Sequence, residues 1–313
     1  MAAIPATILL STYNGGKYLP CQLDSILAQE FRDFRLLVRD DGSGDGTPEI
    51  LREYAMRDSR VVFVNDPAAG EPPRNLGYRA SFLSLLETAG EETAFFAFCD
   101  QDDFWMPEKV RLGVEALRAT DPSRPALYTS SYYFCDGDLN MTGEPFADAK
   151  APAFERTLFY NAAFGFTIMG NAALRRVVLN AAPCCPSIPH DKLCAQLALL
   201  FGKYVADSRR TAFYRRHGKA VTESSGGLRN LVSTWLRNDI FGSNMEQYRK
   251  HAEEMLAFLE TAGEPPAEAV RMLRLFSSRR SPATYLRKLF FGRRMRPTLG
   301  GELALRLSFA LGN

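Results

Sequence analysis

Four short apolar runs, Ala6–Leu10, Phe34–Val38, Val61–Val64 and Ala94–Cys99, are each followed by a loop and then by a segment of helical periodicity. Runs of this length between helical segments read as buried strands. Strand, loop and helix repeated in this way predict a parallel sheet with crossover helices, an α/β fold. The helices are expected near Tyr18–Ala28, Pro48–Met56 and Gly77–Ala89, with another after Pro107. Ser or Thr is expected to cap the one that Pro48 opens. In an open α/β sheet the loops after the strands share one edge, where ligands bind. That geometry brings Tyr13, Asp41, Asp100 and Asp102 into one cleft although they are far apart in sequence.

The three polar loops differ in chemistry. Asp100-Gln101-Asp102-Asp103 places three carboxylates within four residues after a buried run. Read as an extended segment, alternate residues share a face, so Asp100 and Asp102 point together. Such oxygen ligands suit Mg²⁺ or Mn²⁺ and leave positions open for phosphate oxygens. Asp103 instead fits a role in fixing the start of the next helix. The plain alternative is a solvated turn with caps. Asp40-Asp41-Gly42-Ser43 follows the second strand, and a carboxylate there can accept from a base N–H or a ribose hydroxyl. An Asx turn accounts for one of these aspartates but not for both, and Asp45-Gly46-Thr47 reads as turn and cap.

Past Leu117 the pattern changes. Ala126–Phe134 reads as a strand, Ala172–Asn180 and Asp191–Leu200 as helices, and Thr211–Tyr214 as a late strand. From Gly227 the chain reads as mostly helical. Asp191 begins a helix after a proline-rich break, and by itself it reads as a cap. His217, a lone histidine before glycine, reads on its own as structural.

The 313 residues suffice for one large domain with an appendage, and the net charge of +2 names no partner. Charge distribution is more informative: from Ala269 to Gly301 there are nine Lys/Arg and no Asp or Glu. With Leu289-Phe290-Phe291 among them, the segment fits contact with an anionic membrane surface, or else a solvated basic tail or helix packing. Six irregularly spaced cysteines indicate reduced cytosolic thiols, and Cys184, Cys185, His190 and Cys194 match no usual zinc spacing. The expectation is a cytoplasmic protein with no signal peptide and no spanning helix, peripheral on the inner face of the membrane, and with no nucleic-acid partner.

Ser11-Thr12-Tyr13-Asn14, then Asp40-Asp41-Gly42-Ser43-Gly44-Asp45-Gly46-Thr47, then Asp100-Gln101-Asp102-Asp103-Phe104-Trp105 together resemble the pattern of glycosyltransferase family 2. With His190-Asp191 and Tyr214-Arg215-Arg216-His217-Gly218, the chain looks most like a bacterial rhamnosyltransferase-like branch that builds surface polysaccharides. The resemblance covers residues 4 to about 220. It implies a GT-A fold, with a Rossmann-like, mostly parallel sheet flanked by helices. Residues 1–225 would form the catalytic domain, and 226–313 a helical, basic C-terminal extension. It also implies an inverting, metal-dependent transferase that takes a sugar from a dTDP- or UDP-sugar, with Mn²⁺ or Mg²⁺, to a glycan or lipid-linked acceptor. By the same resemblance Tyr13 stacks near the base with Ser11 and Thr12 lining its pocket, and Asp41 binds the base. Asp100 binds ribose or cation, Asp102 is the main metal ligand, and His217 completes the metal or diphosphate site. Gly165–Gly170 corresponds to an acceptor-side loop and Asp191 to the catalytic base. His190 departs from the acidic residue that the family usually has before the base.

Two other classes remain for comparison. A nucleotide-sugar binding module needs no base, so Asp191 argues against it. A sugar nucleotidyltransferase usually has a glycine-rich, basic phosphate loop after the first strand, and Tyr13-Asn14 fits that poorly.

Overall fold

The computed structural model describes residues 4–70, 74–143, 150–216, 243–263, 265–278 and 281–310. His217 and the expected domain boundary at 225/226 lie outside the described residues. The chain forms two compact units. One comprises Met1–Ala151, Ala163–Asn180 and Phe201–Val221, and the other Pro152–Ala162, Ala181–Leu200 and Thr222–Asn313.

The first unit holds an eight-stranded sheet. Its strands are β1 (Ile4–Thr12), β2 (Phe34–Asp40), β3 (Val61–Phe63), β4 (Thr93–Cys99), β5 (Phe104–Trp105), β6 (Ala126–Cys135), β7 (Ile168–Asn171) and β8 (Lys203–Arg215). They lie in the order β3-β2-β1-β4-β7-β6-β8-β5. The stretch from β3 to β4 is parallel throughout, with Leu10 level with Val38 on one side and Cys99 on the other. β7 runs antiparallel to both of its neighbours, and β6 and β8 are parallel. Central β1 is buried on both faces at Ile8, Leu9 and Leu10, which explains the consecutive apolar residues there. Helices α1 (Leu19–Leu27), α2 (Thr47–Arg57), α3 (Tyr78–Thr88), α4 (Lys109–Arg118) and α6 (Ala172–Ala181) belong to this unit. α1 buries Leu19, Leu23 and Ile26, spaced four and three residues apart, so a single face meets the core.

Two elements differ from the sequence expectation. The late strand begins at Lys203 rather than Thr211, because Asp207-Ser208-Arg209-Arg210 hides it behind a polar run. Its pairing with β6 shifts register around Ser131, so strict alternation is lost there. Gly165–Gly170, expected to correspond to an acceptor-side loop, forms a buried 3₁₀ turn leading into β7, an inner strand. A Cβ at Gly170 would meet the Phe96 ring at 2.4 Å, so close strand packing accounts for that glycine.

The second unit is helical. It contains α5 (Arg156–Phe159), α7 (His190–Phe201), α8 (Asn244–Thr261), α9 (Ala267–Ser277), α10 (Pro282–Leu289) and α11 (Leu299–Ala310). Phe159 anchors its core, with ring centroids 4.9 Å from Phe276, 5.3 Å from Tyr248 and 6.0 Å from Phe309. None of the described helices is long and apolar enough to cross a membrane.

Candidate active site

The loops after β1, β2 and β4 lie at one sheet edge. β1 pairs with both β2 and β4, so three polar loops leave adjacent parallel strands side by side. The loop after β1 is laced to the loop after β2. Asn14 N–H donates to Ser43 Oγ at 2.8 Å, and Gly44 N–H returns to Asn14 Oδ1 at 2.9 Å. Gly15 and Gly16 N–H donate to Thr47 Oγ1 and Asp45 Oδ2. Asn14 takes the left-handed φ of 50° that its short polar side chain tolerates.

Apart from His217, which lies outside the described residues, each residue expected in the donor site has a definite place here. Ser11 Oγ shares a hydrogen bond with Ser81 Oγ at 2.7 Å, and buried Thr12 donates to Asp40 Oδ1. Tyr13 is half exposed, at 50%. Asp40 and Asp41 divide the labour that an Asx turn alone did not explain. Asp40 accepts from the Gly42 and Ser43 N–H groups and from Ser43 Oγ, which builds the turn. Asp41 is buried, pairs with Arg39 and accepts from the N–H groups of Leu76 and Gly77 ahead of α3. Asp45 does more than turn the chain. Burial works against its charge, but bonds from the Thr47 side chain and backbone and from Gly16 N–H hold its carboxyl below the usual range. The cap expected from Ser or Thr at α2 is supplied by Asp45, whose Oδ1 accepts Thr47 N–H. Gly46 occupies the cap position itself.

The carboxylate stretch after β4 is a turn rather than an extended segment. β4 ends at Cys99, and the chain turns at 101–102 so that β5 can pair with β8. Asp100 and Asp102 therefore flank the turn, half-buried, and the alternate-residue argument does not apply to them. Asp103 is fully buried, and neither of its oxygens has a hydrogen bond of good geometry. Burial, with Asp100 and Asp102 nearby, pushes its carboxyl well above the ordinary range. The backbone of Arg215 and the charge of Lys109 only partly offset this. Lys109 is itself buried, held by Ser130 Oγ and Thr211 Oγ1, and burial pulls its amine down to about 8. Among the described residues no three His, Cys, Asp or Glu side chains cluster as a metal site. The two carboxylates on the turn still suit a hard cation. Mg²⁺ and Mn²⁺ favour oxygen ligands, and Mg²⁺ is commonly held by one or two carboxylates completed by water and substrate phosphate.

Asp191 lies in the second unit, in the first turn of α7, 8% exposed. Its Oδ1 accepts Lys192 N–H at 2.7 Å, so the cap reading is partly realised. Its Oδ2 accepts Asn161 Nδ2 at 2.8 Å, a contact that the sequence did not suggest. Lys192 Nζ donates to Leu158 O at 2.8 Å and lies 3.3 Å from His251 Nδ1. His251 Nε2 lies 3.1 Å from Ser187 O. A neutral imidazole protonated at Nε2 satisfies both contacts. Burial first, and then the Lys192 charge, depress His251 to about 4. Burial lowers Lys192 to about 8, with Asp191 opposing the fall. His190 is also buried.

The family model described as Glycosyl transferase family 2 matches residues 7–181, more than half of the chain. The chain belongs to that family. Putative glycosyltransferase EpsH of Bacillus subtilis is 23% identical over 269 residues, covering 80% of this chain and 73% of EpsH. The Escherichia coli enzyme WfaP, UDP-Glc:alpha-D-GlcNAc-diphosphoundecaprenol beta-1,3-glucosyltransferase, is 23% identical over 138 residues, 44% of this chain and 49% of WfaP. The chain thus spans about half the length of WfaP, and it covers 33% of another curated glycosyltransferase. Among solved structures, S. aureus TarS 1-349 in complex with UDP-GlcNAc superposes with a TM-score of 0.55 at 15% identity, covering 98% of this chain and 90% of that one. That likeness establishes the GT-A fold.

Proposed function

We propose that the chain is an inverting, metal-dependent glycosyltransferase that moves a sugar, rhamnose in the branch reading, from a UDP- or dTDP-sugar to a glycan or lipid-linked hydroxyl. The observation that carries this reading is the convergence of the Tyr13, Asp41 and Asp100–Asp102 loops after three neighbouring parallel strands. Tyr13 offers a half-exposed ring on which a base can stack. Ser11 and Thr12 stand behind it, and Asp41 and Asp100 contribute acceptors for base and ribose. Asp102 and Asp100 would hold Mn²⁺ or Mg²⁺, joined by His217. A cation held there would supply charge that offsets the diphosphate leaving group. Asp191 takes the proton from the acceptor hydroxyl as its oxygen attacks the anomeric carbon. The bond from that carbon to the diphosphate oxygen breaks with its electron pair, and one displacement inverts the centre. Asn161 supports this role by fixing one carboxylate oxygen of Asp191.

The test is Asp191→Asn. Loss of a general base costs about 10²–10⁴-fold in rate. Transfer should fall by that much while nucleotide affinity stays near wild type. Undiminished transfer sinks the assignment of Asp191.

The lipid-linked acceptor goes with peripheral contact at the inner face of the membrane. Leu286 on α10, Phe290 just after it, and Leu299, Leu303 and Leu307 on α11 are exposed at four-residue spacing, the first three within the basic segment that ends at Gly301. Full-length protein should float with anionic liposomes at low salt. Protein that stays unbound there removes this part of the reading.

A further inference from the structure

We propose that Gln101 is a positioning residue that couples the nucleotide loop to the carboxylate turn, so that a cation on Asp100 and Asp102 tightens the grip on the base even without touching it. The inference rests on the donor-site reading above. The main-chain ladder between β1 and β4 ends at Leu10 level with Cys99. Beyond that point β1 runs on to Thr12 paired only with β2, and β4 gives way to its turn. Gln101 carries the pairing further with its side chain. Tyr13 N–H donates to Gln101 Oε1 at 2.8 Å, and Gln101 Nε2 donates to Tyr13 O at 3.0 Å. The carboxamide thus exchanges two hydrogen bonds with one residue, as an opposing peptide does in a sheet.

A second observation points the same way. A Cβ on Gly15 would lie 2.3 Å from Gln101 Oε1 and 2.6 Å from Cδ. Gly15 is buried, so the glycine leaves the space that the carboxamide fills. Gln101 stands between Asp100 and Asp102 in the chain, so fixing the turn fixes Gln101. Fixing Gln101 in turn fixes the backbone of Tyr13, whose ring is proposed to meet the base. Coupling of this kind is a free energy shared by two sites, and it acts equally in both directions.

The probes are UDP and uridine, each titrated by calorimetry or NMR with and without Mn²⁺. UDP reports metal held directly by phosphate together with any coupling through the loop. Uridine has no phosphate, so its response excludes metal held by phosphate, and the Gln101→Ala comparison isolates the part carried by the loop. The expected result is that Mn²⁺ tightens uridine binding to the wild type by about fivefold, the lower end of typical couplings. In Gln101→Ala that factor should fall to about one. Gly15→Ala, which crowds the carboxamide from the other side, should lose the same factor. The double variant should then lose no more than either single one. Thermal melts identify a variant that fails to fold, and Gln101→Glu, which keeps the acceptor but not the donor, should retain part of the effect. Uridine affinity indifferent to Mn²⁺ in the wild type, with UDP affinity still responsive, overturns the coupling and leaves the donor-site reading standing. So does a Gln101→Ala protein that keeps the full uridine response. UDP affinity indifferent to Mn²⁺ in the wild type overturns the donor-site reading itself, and this inference with it.

Discussion

Asp100 and Asp102 sit half-buried on a turn whose neighbour Gln101 bonds at the surface, whereas Asp191 is 8% exposed and fixed by Asn161. The turn is built from short polar loops that reach across to one another. The Asp191 pocket is built inside a helical unit, with a buried lysine and a buried neutral histidine close by. The difference matches the two tasks proposed for these regions. A cation and a diphosphate must enter with part of their water, which suits an edge with open positions. A proton acceptor must be held in one geometry, which suits packing and an oriented hydrogen bond.

If the contrast is right, the two regions break in different ways. The largest effect on nucleotide affinity is expected at the turn. Asp102→Ala should weaken UDP binding in the presence of Mn²⁺ by about a hundredfold, or about 2.7 kcal/mol, with little change in melting temperature. Unchanged nucleotide affinity with and without Mn²⁺ counts against the turn as the cation site. The pocket should answer to pH through stability instead. His251 is depressed to about 4 in the folded chain, against 6.5 as an ordinary value. Its contribution is fully present above pH 6.5. It is lost as pH falls toward 4, because there the unfolded chain binds the extra proton. By pH 5 the loss is about 2 kcal/mol relative to pH 8. Chemical denaturation at the two values should show this drop in the wild type and a smaller one in His251→Gln. Equal drops in both proteins mean that the imidazole is not held neutral as described.

The donor edge was legible in sequence because its logic is local. An apolar run, a break and a polar loop fix each loop's place once the strands are parallel. Even so, strand periodicity does not reveal where a strand stops, so Asp100 and Asp102 read as extended although they flank a turn. Gln101 was visible in the same stretch, but its partner is Tyr13, 88 residues away, and no spacing rule links them. The pocket was less legible for the same reason. Asp191 meets Asn161, beyond the end of α5, and Lys192 meets His251 on α8, only through tertiary packing that the sequence pattern does not reveal. Asp103 and Lys109 look like ordinary polar residues beside a turn and at a helix start, and only the fold reveals that both are buried.

Four hydrogen bonds, from Asn14, Gly15, Gly16 and Gly44, stitch the first two loops of the sheet edge together. Each loop supplies partners that the other needs in order to hold its shape. A chimera that imports only one of them from a relative with another nucleotide preference inherits half of a mated pair. Any graft at this edge therefore calls for residues 13–16 and 43–47 to be transplanted together.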